Sequence, residues 1–257
     1  MSYNDIVMGE LLKMFRHHPG TKSTMPRGIL LVICVLGVVV VAADPAFAQR
    51  SRSQRQAQAS WWDRAPVEKV GHYWIKTDLP GRKARPLAKH LNIMYQHYAR
   101  RLAGLPLRAD EKLNVLIFKS REEYLRTMRT RFGIELAGSG GAFFRHPQLS
   151  GLAFYTEDLP RRRIEHVIQH EGFHQFAYSR FGGDLPIWVN EGLAEFFGNS
   201  VVVDGELIIG QATPRVTQSI REAIENNEYI PFRRMLTMES RQWNNAVKLG
   251  DAKLQYE

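Results

Sequence analysis

The stretch from Pro160 to Phe197 constrains this chain more than any other, because it spells out two helices and the turn between them. Pro160 suits the first turn of a helix that runs to Phe181, where Gly182-Gly183 supplies the stop. Apolar Ile164, Val167, Ile168, Phe173, Ala177 and Phe181 mark that helix as largely buried. A second helix starts at Pro186 and carries IWVNEGLAEFF. Helices joined by so short a turn can lie antiparallel, so the fold has to house that pair.

The surrounding chain supplies strands and further helices. Residues 71–79 (GHYWIKTDL) read as a strand, and Ala84 to Ala103 as an amphipathic helix with Leu87, Leu91, Met94, Tyr95 and Tyr98 at helical spacing. A strand at Leu113–Phe118 and a helix at Arg121–Arg131 follow. The apolar runs Gly141–Phe144 and Gly151–Tyr155, separated by a turn at His146-Pro147, read as a hairpin. Asp204-Gly205 between Val201–Val203 and Glu206–Ile209 is a second hairpin signal. Helices are expected at Pro214–Asn226 and over the last twenty residues. This order predicts an α+β fold with helices packed against a small mixed sheet. The chain ends at Tyr256-Glu257 inside a helical stretch without a stop signal, which predicts truncation at the C-terminus.

Composition limits the chemistry. Of 257 residues 44% are hydrophobic and 24% charged, which excludes disorder as the main state. Cys34 is the only cysteine, so neither a disulfide framework nor a multi-cysteine zinc site can form within the chain. Any metal must be held by His and carboxylate. The N-terminal part stands apart: Ile29 to Ala43 (ILLVICVLGVVVVAA) carries no charge, follows Lys22 and Arg27, and precedes Ala46-Phe47-Ala48. These are the n-region, h-region and cleavage site of a signal peptide over residues 1–48, with an alternative start at Met25. As a helix the run covers roughly 22 Å, short of a ~30 Å hydrocarbon core, which favours cleavage near Ala48 over an anchor formed by residues 29–43. Residues 49–60 (QRSRSQRQAQAS) read as a solvated basic linker, leaving 61–257 as the folded domain. An exported protein, periplasmic or extracellular, has no nucleic acid to meet. The net charge of +9 then suits anionic envelope polymers or a membrane surface.

Within the first helix stands His170-Glu171-Gly172-Phe173-His174. Residues four apart sit one turn above each other, about 6 Å along the axis, so two imidazoles can close on one ion. Glu171, rotated about 100° from His170, flanks the open coordination position, where it can act as general base toward zinc-activated water. Two satisfied helix histidines beside a solvated Glu are the plainer reading of so short a pattern. The next helix changes the balance, since it brings Glu191 opposite the pair as a third ligand, seventeen residues after His174. Glu195, one turn further, is placed to accept a hydrogen bond from the outward nitrogen of a ligating histidine, or else to stand in solvent.

HEGFH at 170–174, PIWVNEGLAEFF at 186–197, and GGAFF followed by GLAFY upstream together resemble the gluzincin metallopeptidases, the thermolysin and aminopeptidase-N-like group. The closest resemblance is to bacterial peptidase-MA-like domains of unassigned substrate, over roughly residues 110–257. It implies a thermolysin-like zincin domain with an edge hairpin packed on the zinc-binding helix pair. It also implies one catalytic Zn2+ on His170, His174 and Glu191, and Glu171 as catalytic base in peptide-bond hydrolysis. Backbone groups at Gly141, Ala142 and Phe143 would hold a peptide or protein substrate by strand addition. A hairpin of purely structural role is the competing reading. The resemblance further asks for a tyrosine that donates to the oxyanion, and Tyr256, 65 residues after Glu191, is the candidate. Two departures stand out. Gly172 inside the zinc helix costs about 1 kcal/mol relative to Ala and points to close packing. The interval from His174 to Glu191 is shorter than in the better-known members.

Other residues read more plainly. His166 lies beyond the reach of a metal on the pair, His146 is an exposed loop histidine, and Arg161-Arg162-Arg163 is a solvated face. Trp61-Trp62 is either a core edge or a docking point. The alternative to an exported zinc peptidase is a non-catalytic envelope-binding module on the same scaffold. It would respond to salt, where the enzyme would respond to chelator.

Overall fold

The computed structural model describes residues 61–105, 112–183, 185–209 and 214–243. The chain divides into two units, Met1–Arg64 and Ala65–Glu257. Of the first, the described part is α1 (Trp61–Arg64), a single turn in which the two tryptophan rings meet edge to face at 5.7 Å. The apolar run 29–43, the linker and Tyr256 lie outside the described residues. Among the described residues no helix is long and apolar enough to cross a membrane.

The second unit is built on a five-stranded mixed sheet whose strands lie in the order Val67–Val70, Tyr73–Thr77, Leu113–Phe118, Gly151–Tyr155 and Gly141–Phe144. Strands β1 (Val67–Val70) and β2 (Tyr73–Thr77) form an antiparallel hairpin. β1 was not expected from the sequence, because VEKV is largely exposed and has no apolar face to display. Its turn needs Gly71, which has a φ of +59° and lies so close to Asn92 that a Cβ would sit 2.0 Å from Oδ1. Asn92 closes the turn by accepting from the His72 amide at 2.9 Å and donating to the Val70 carbonyl at 3.0 Å. The helix expected from Ala84 begins earlier, as α2 (Gly81–Arg101), with Pro86 in its second turn. β3 (Leu113–Phe118) pairs parallel with both β2 and β5 (Gly151–Tyr155), while β4 (Gly141–Phe144) runs antiparallel to β5 at the sheet edge. Helix α3 (Arg121–Phe132) is capped by Ser120, which accepts from the Glu123 amide, and ends on left-handed Gly133.

Burial follows the pleat. Tyr73, Val115 and Phe154 face α2 and the helix that follows β5, whereas Phe118 and Tyr155 face α3, where both rings meet Tyr124. The central strands are buried on both faces for that reason. Helix α4 (Arg161–Phe181) and helix α5 (Ile187–Gly198) are the pair read from the sequence, with Gly182 as a left-handed C-cap at φ +70°. Pro160 and Pro186 stand at the N-cap positions, one residue outside each helix. Tyr98 of α2 sits at the centre, with Phe173, Phe176 and Phe197 around its ring and its hydroxyl donating to the Gln169 carbonyl at 2.7 Å.

Beyond α5 come the hairpin β6 (Val201–Val203) and β7 (Glu206–Ile208), turning on Asp204 and Gly205 at φ +51° and +83°, then α6 (Pro214–Glu225) and α7 (Phe232–Leu236). α7 was not anticipated, and most of the helix expected over the last twenty residues lies outside the described part.

Candidate metal centre

Helix α4 carries His170 and His174 on successive turns, and the Gly182-Gly183 reversal lays α5 across them. The two Nε2 atoms stand 3.1 Å apart, and Glu191 Oε2 lies 3.8 Å from the first and 3.5 Å from the second. A tetrahedral ion with bonds of about 2.0–2.1 Å separates its ligand atoms by roughly 3.3 Å, so this triangle fits one zinc ion without rearrangement of the helices. The three side chains are only 11–12% exposed. Nitrogen lone pairs this close repel each other unless a proton or a cation lies between them. Burial disfavours a charged His174, but Glu191, Glu171 and the Asn190 side chain outweigh it and raise the pKa to about 9. Glu191 and Glu171 thus favour positive charge at this point of the site.

The surrounding side chains fix these donors. Glu195 Oε1 is 3.1 Å from His170 Nδ1, and Asn199 donates to Glu195 Oε2 at 2.9 Å. Burial alone would raise the pKa of Glu195, yet His170, His166 and Asn199 hold it below the ordinary carboxylate value. His166 does not approach Glu191. It belongs instead to a second group with His170 and Glu195, in which burial pushes its pKa down. Asn190 lies against the His174 ring, although His174 Nδ1 has no partner at full hydrogen-bond geometry.

Glu171 points to the sheet edge. Its Oε2 accepts from the Phe143 amide at 2.8 Å, which fixes the carboxylate beside the donor triangle. By strand alternation Gly141 and Phe143 turn their backbone groups away from β5, while Ala142 turns toward Ala153. Of the three residues read as a substrate edge, Gly141 is already engaged with Ser139 on both amide and carbonyl, and Phe143 has given its amide to Glu171. The Phe143 carbonyl is the edge acceptor that remains. Gly141 has a further role that sequence reasoning missed. A Cβ there would lie 2.5 Å from Val167 Cγ1 and 3.0 Å from the Ala153 carbonyl oxygen, so glycine lets the edge strand settle onto α4.

Several readings are corrected. Arg162 is not merely solvated: it donates to the carbonyls of Ser200 at 2.6 Å and Asn199 at 3.0 Å, tying the start of α4 to the end of α5. His146 is half-buried, with its ring edge to face with Phe132 at 5.4 Å. The close packing expected at Gly172 is ordinary contact, with Tyr98 and Leu91 at 3.5 and 3.7 Å from an added Cβ. The tighter glycine is Gly198, where an added Cβ would meet the His166 ring at 3.2 Å and His170 Cβ at 3.3 Å. Gly198, three residues after Glu195, could have been placed on the same helix face from the sequence, whereas Asn190, next to Glu191, carried no such signal.

A cleft of about 290 Å³ opens beside the triangle, lined by Phe143, His174, Tyr178, Asn190 and Glu191 among others. A family described as "Protein of unknown function (DUF1570)" matches residues 165–249, which takes in most of α4, all of α5 and all three candidate donors but less than half of the chain. No curated protein matches the sequence.

Proposed function

We infer that this chain is an exported, zinc-dependent peptidase of the thermolysin-like zincin type. The observation that carries this reading is the convergence of His170 Nε2, His174 Nε2 and Glu191 Oε2, with Glu171 held beside them on the sheet edge. Zinc, when bound by those three residues, supplies a Lewis-acid charge that polarises a carbonyl and eases the ionisation of water. The chain's own residues do the rest. Glu171, tethered through Oε2 to the Phe143 amide, keeps Oε1 for a proton taken from the attacking water and passed to the leaving amine. The Phe143 carbonyl can align an extended peptide as an added strand across the cleft. Glu195 orients His170, and Asn190 supports His174. Tyr256 stays the candidate oxyanion donor on resemblance alone. Export is supported by the apolar run at 29–43 and the Ala-x-Ala that follows it.

The test is elemental analysis of the dialysed protein beside Glu191→Ala and Glu171→Gln variants, followed by peptide turnover. Near-stoichiometric zinc in the parent and in Glu171→Gln, lost in Glu191→Ala, is expected, with turnover absent from both variants. Full activity in Glu171→Gln, or folded parent protein that takes up no zinc, would overturn the proposal.

A further inference from the structure

One wall of the cleft carries a cation to which the described residues offer no acidic partner. Arg145 follows β4 and lies two residues beyond Phe143, so both side chains leave the strand toward α4. There they meet the same ring. The Phe143 and Tyr178 rings are 5.6 Å apart, and the Arg145 guanidinium lies 4.8 Å from the Tyr178 centroid. Tyr178 is one helical turn after His174, so this stack stands directly beside the donor triangle. Elsewhere in the described residues Arg129 pairs with Glu135, and Arg161 with Glu165. Arg145 has no such carboxylate among the described residues, although it is exposed and lines the cleft.

Stacking occupies the face of a guanidinium and leaves its in-plane N–H donors pointing outward in a fixed fork, the geometry that receives a carboxylate. Much of the adjoining wall is apolar, from Ala177, Leu185 and Ile187. Among the described residues the acid that lines the cleft is Glu191, whose Oε2 faces the two imidazoles. We propose that Arg145 is the anion-recognising residue of this cleft, so that the chain selects peptides bearing a carboxylate close to the bond to be cleaved. This rests on the peptidase reading and names its substrate class.

The carboxylate can be an acidic side chain or a free C-terminus, and the test separates the two. Binding is measured by fluorescence anisotropy on the full-length, zinc-loaded protein carrying Glu171→Gln. The probes are three labelled peptides: one with an internal Glu and an amidated end, its Gln counterpart, and that counterpart with a free C-terminal carboxylate. One or both carboxylate peptides should bind about tenfold more tightly than the uncharged one, and the preference should shrink with added salt. Introducing Arg145→Gln should abolish the preference while leaving the affinity of the uncharged peptide unchanged. Equal affinities for all three peptides, no binding by any of them, or a preference that survives Arg145→Gln would overturn the proposal. So would a uniform loss across the three, which would make Arg145 only a packing partner of Tyr178. The peptidase reading fails by a different sign, intact peptides after incubation with the zinc-loaded parent, and the affinity ratio is read in either case.

Discussion

At the scale of single residues, the candidate site sets outer side chains against its two histidines. Glu195 is the clearest case, because it accepts from Asn199 with one oxygen and faces His170 Nδ1 with the other. Removing such an outer partner typically weakens metal affinity by about 10–100-fold. Glu195→Ala should therefore lower zinc affinity by that order, measured by competition with a chromophoric chelator, while the fold persists. An unchanged affinity would assign Glu195 to the helix surface rather than to the metal centre. The candidate donors were legible in the sequence only jointly, because the short pattern at His170 and His174 also fits ordinary helix histidines and gains weight from Glu191 on the next helix. Their supports were less legible. Asn190 and His166 are ordinary helix residues until α5 is laid across α4, and an arginine beside a turn does not announce which ring it will stack on.

At the scale of elements, two close approaches hold the site together. The first is β4 on α4, which depends on the bare Cα of Gly141 against Val167. A Cβ at that position presses on backbone as well as on a branched side chain, so neither neighbour can swing away. Gly141→Ala should cost about 1–3 kcal/mol through overpacking, read as a lowered denaturation midpoint, and should also displace the amide that holds Glu171. The second is the guanidinium of Arg162 on the last carbonyls of α5. Its loss in Arg162→Ala should cost roughly 1.5–3 kcal/mol, the range for hydrogen bonds to a charged group. A variant as stable as the parent would return Arg162 to the solvated role read from the sequence. Elements with a strong apolar period, such as β3 and α4, were legible at once. β1 was not, because its residues are mostly exposed and its pairing is decided by Asn92 far along the chain.

At the scale of the whole molecule, the protonated His174 couples folding to pH. With a folded pKa of about 9 against 6.5 for the free group, the metal-free protein holds a proton that the unfolded chain has lost between those values. That contribution is complete below pH 6.5 and disappears as the pH rises through 9, so metal-free protein should lose stability across that window. Zinc competes for the same lone pair, and the zinc-loaded protein should instead gain stability as the pH rises toward 9. Thermal denaturation at several pH values, with and without zinc, tests both signs. Parallel curves would show that the ion binds elsewhere. The overall architecture, helices on a mixed sheet, followed from the alternation of patterns along the chain, whereas the strand order depends on contacts between distant segments that no local pattern records. The phenol of Tyr98, fixed to the carbonyl that precedes His170 and surrounded by three aromatic rings, adds a mechanical consequence. It acts as a stop against rolling of α4 about its own axis, so any widening of the cleft has to come from the strand edge and the loops around it while the imidazoles stay still.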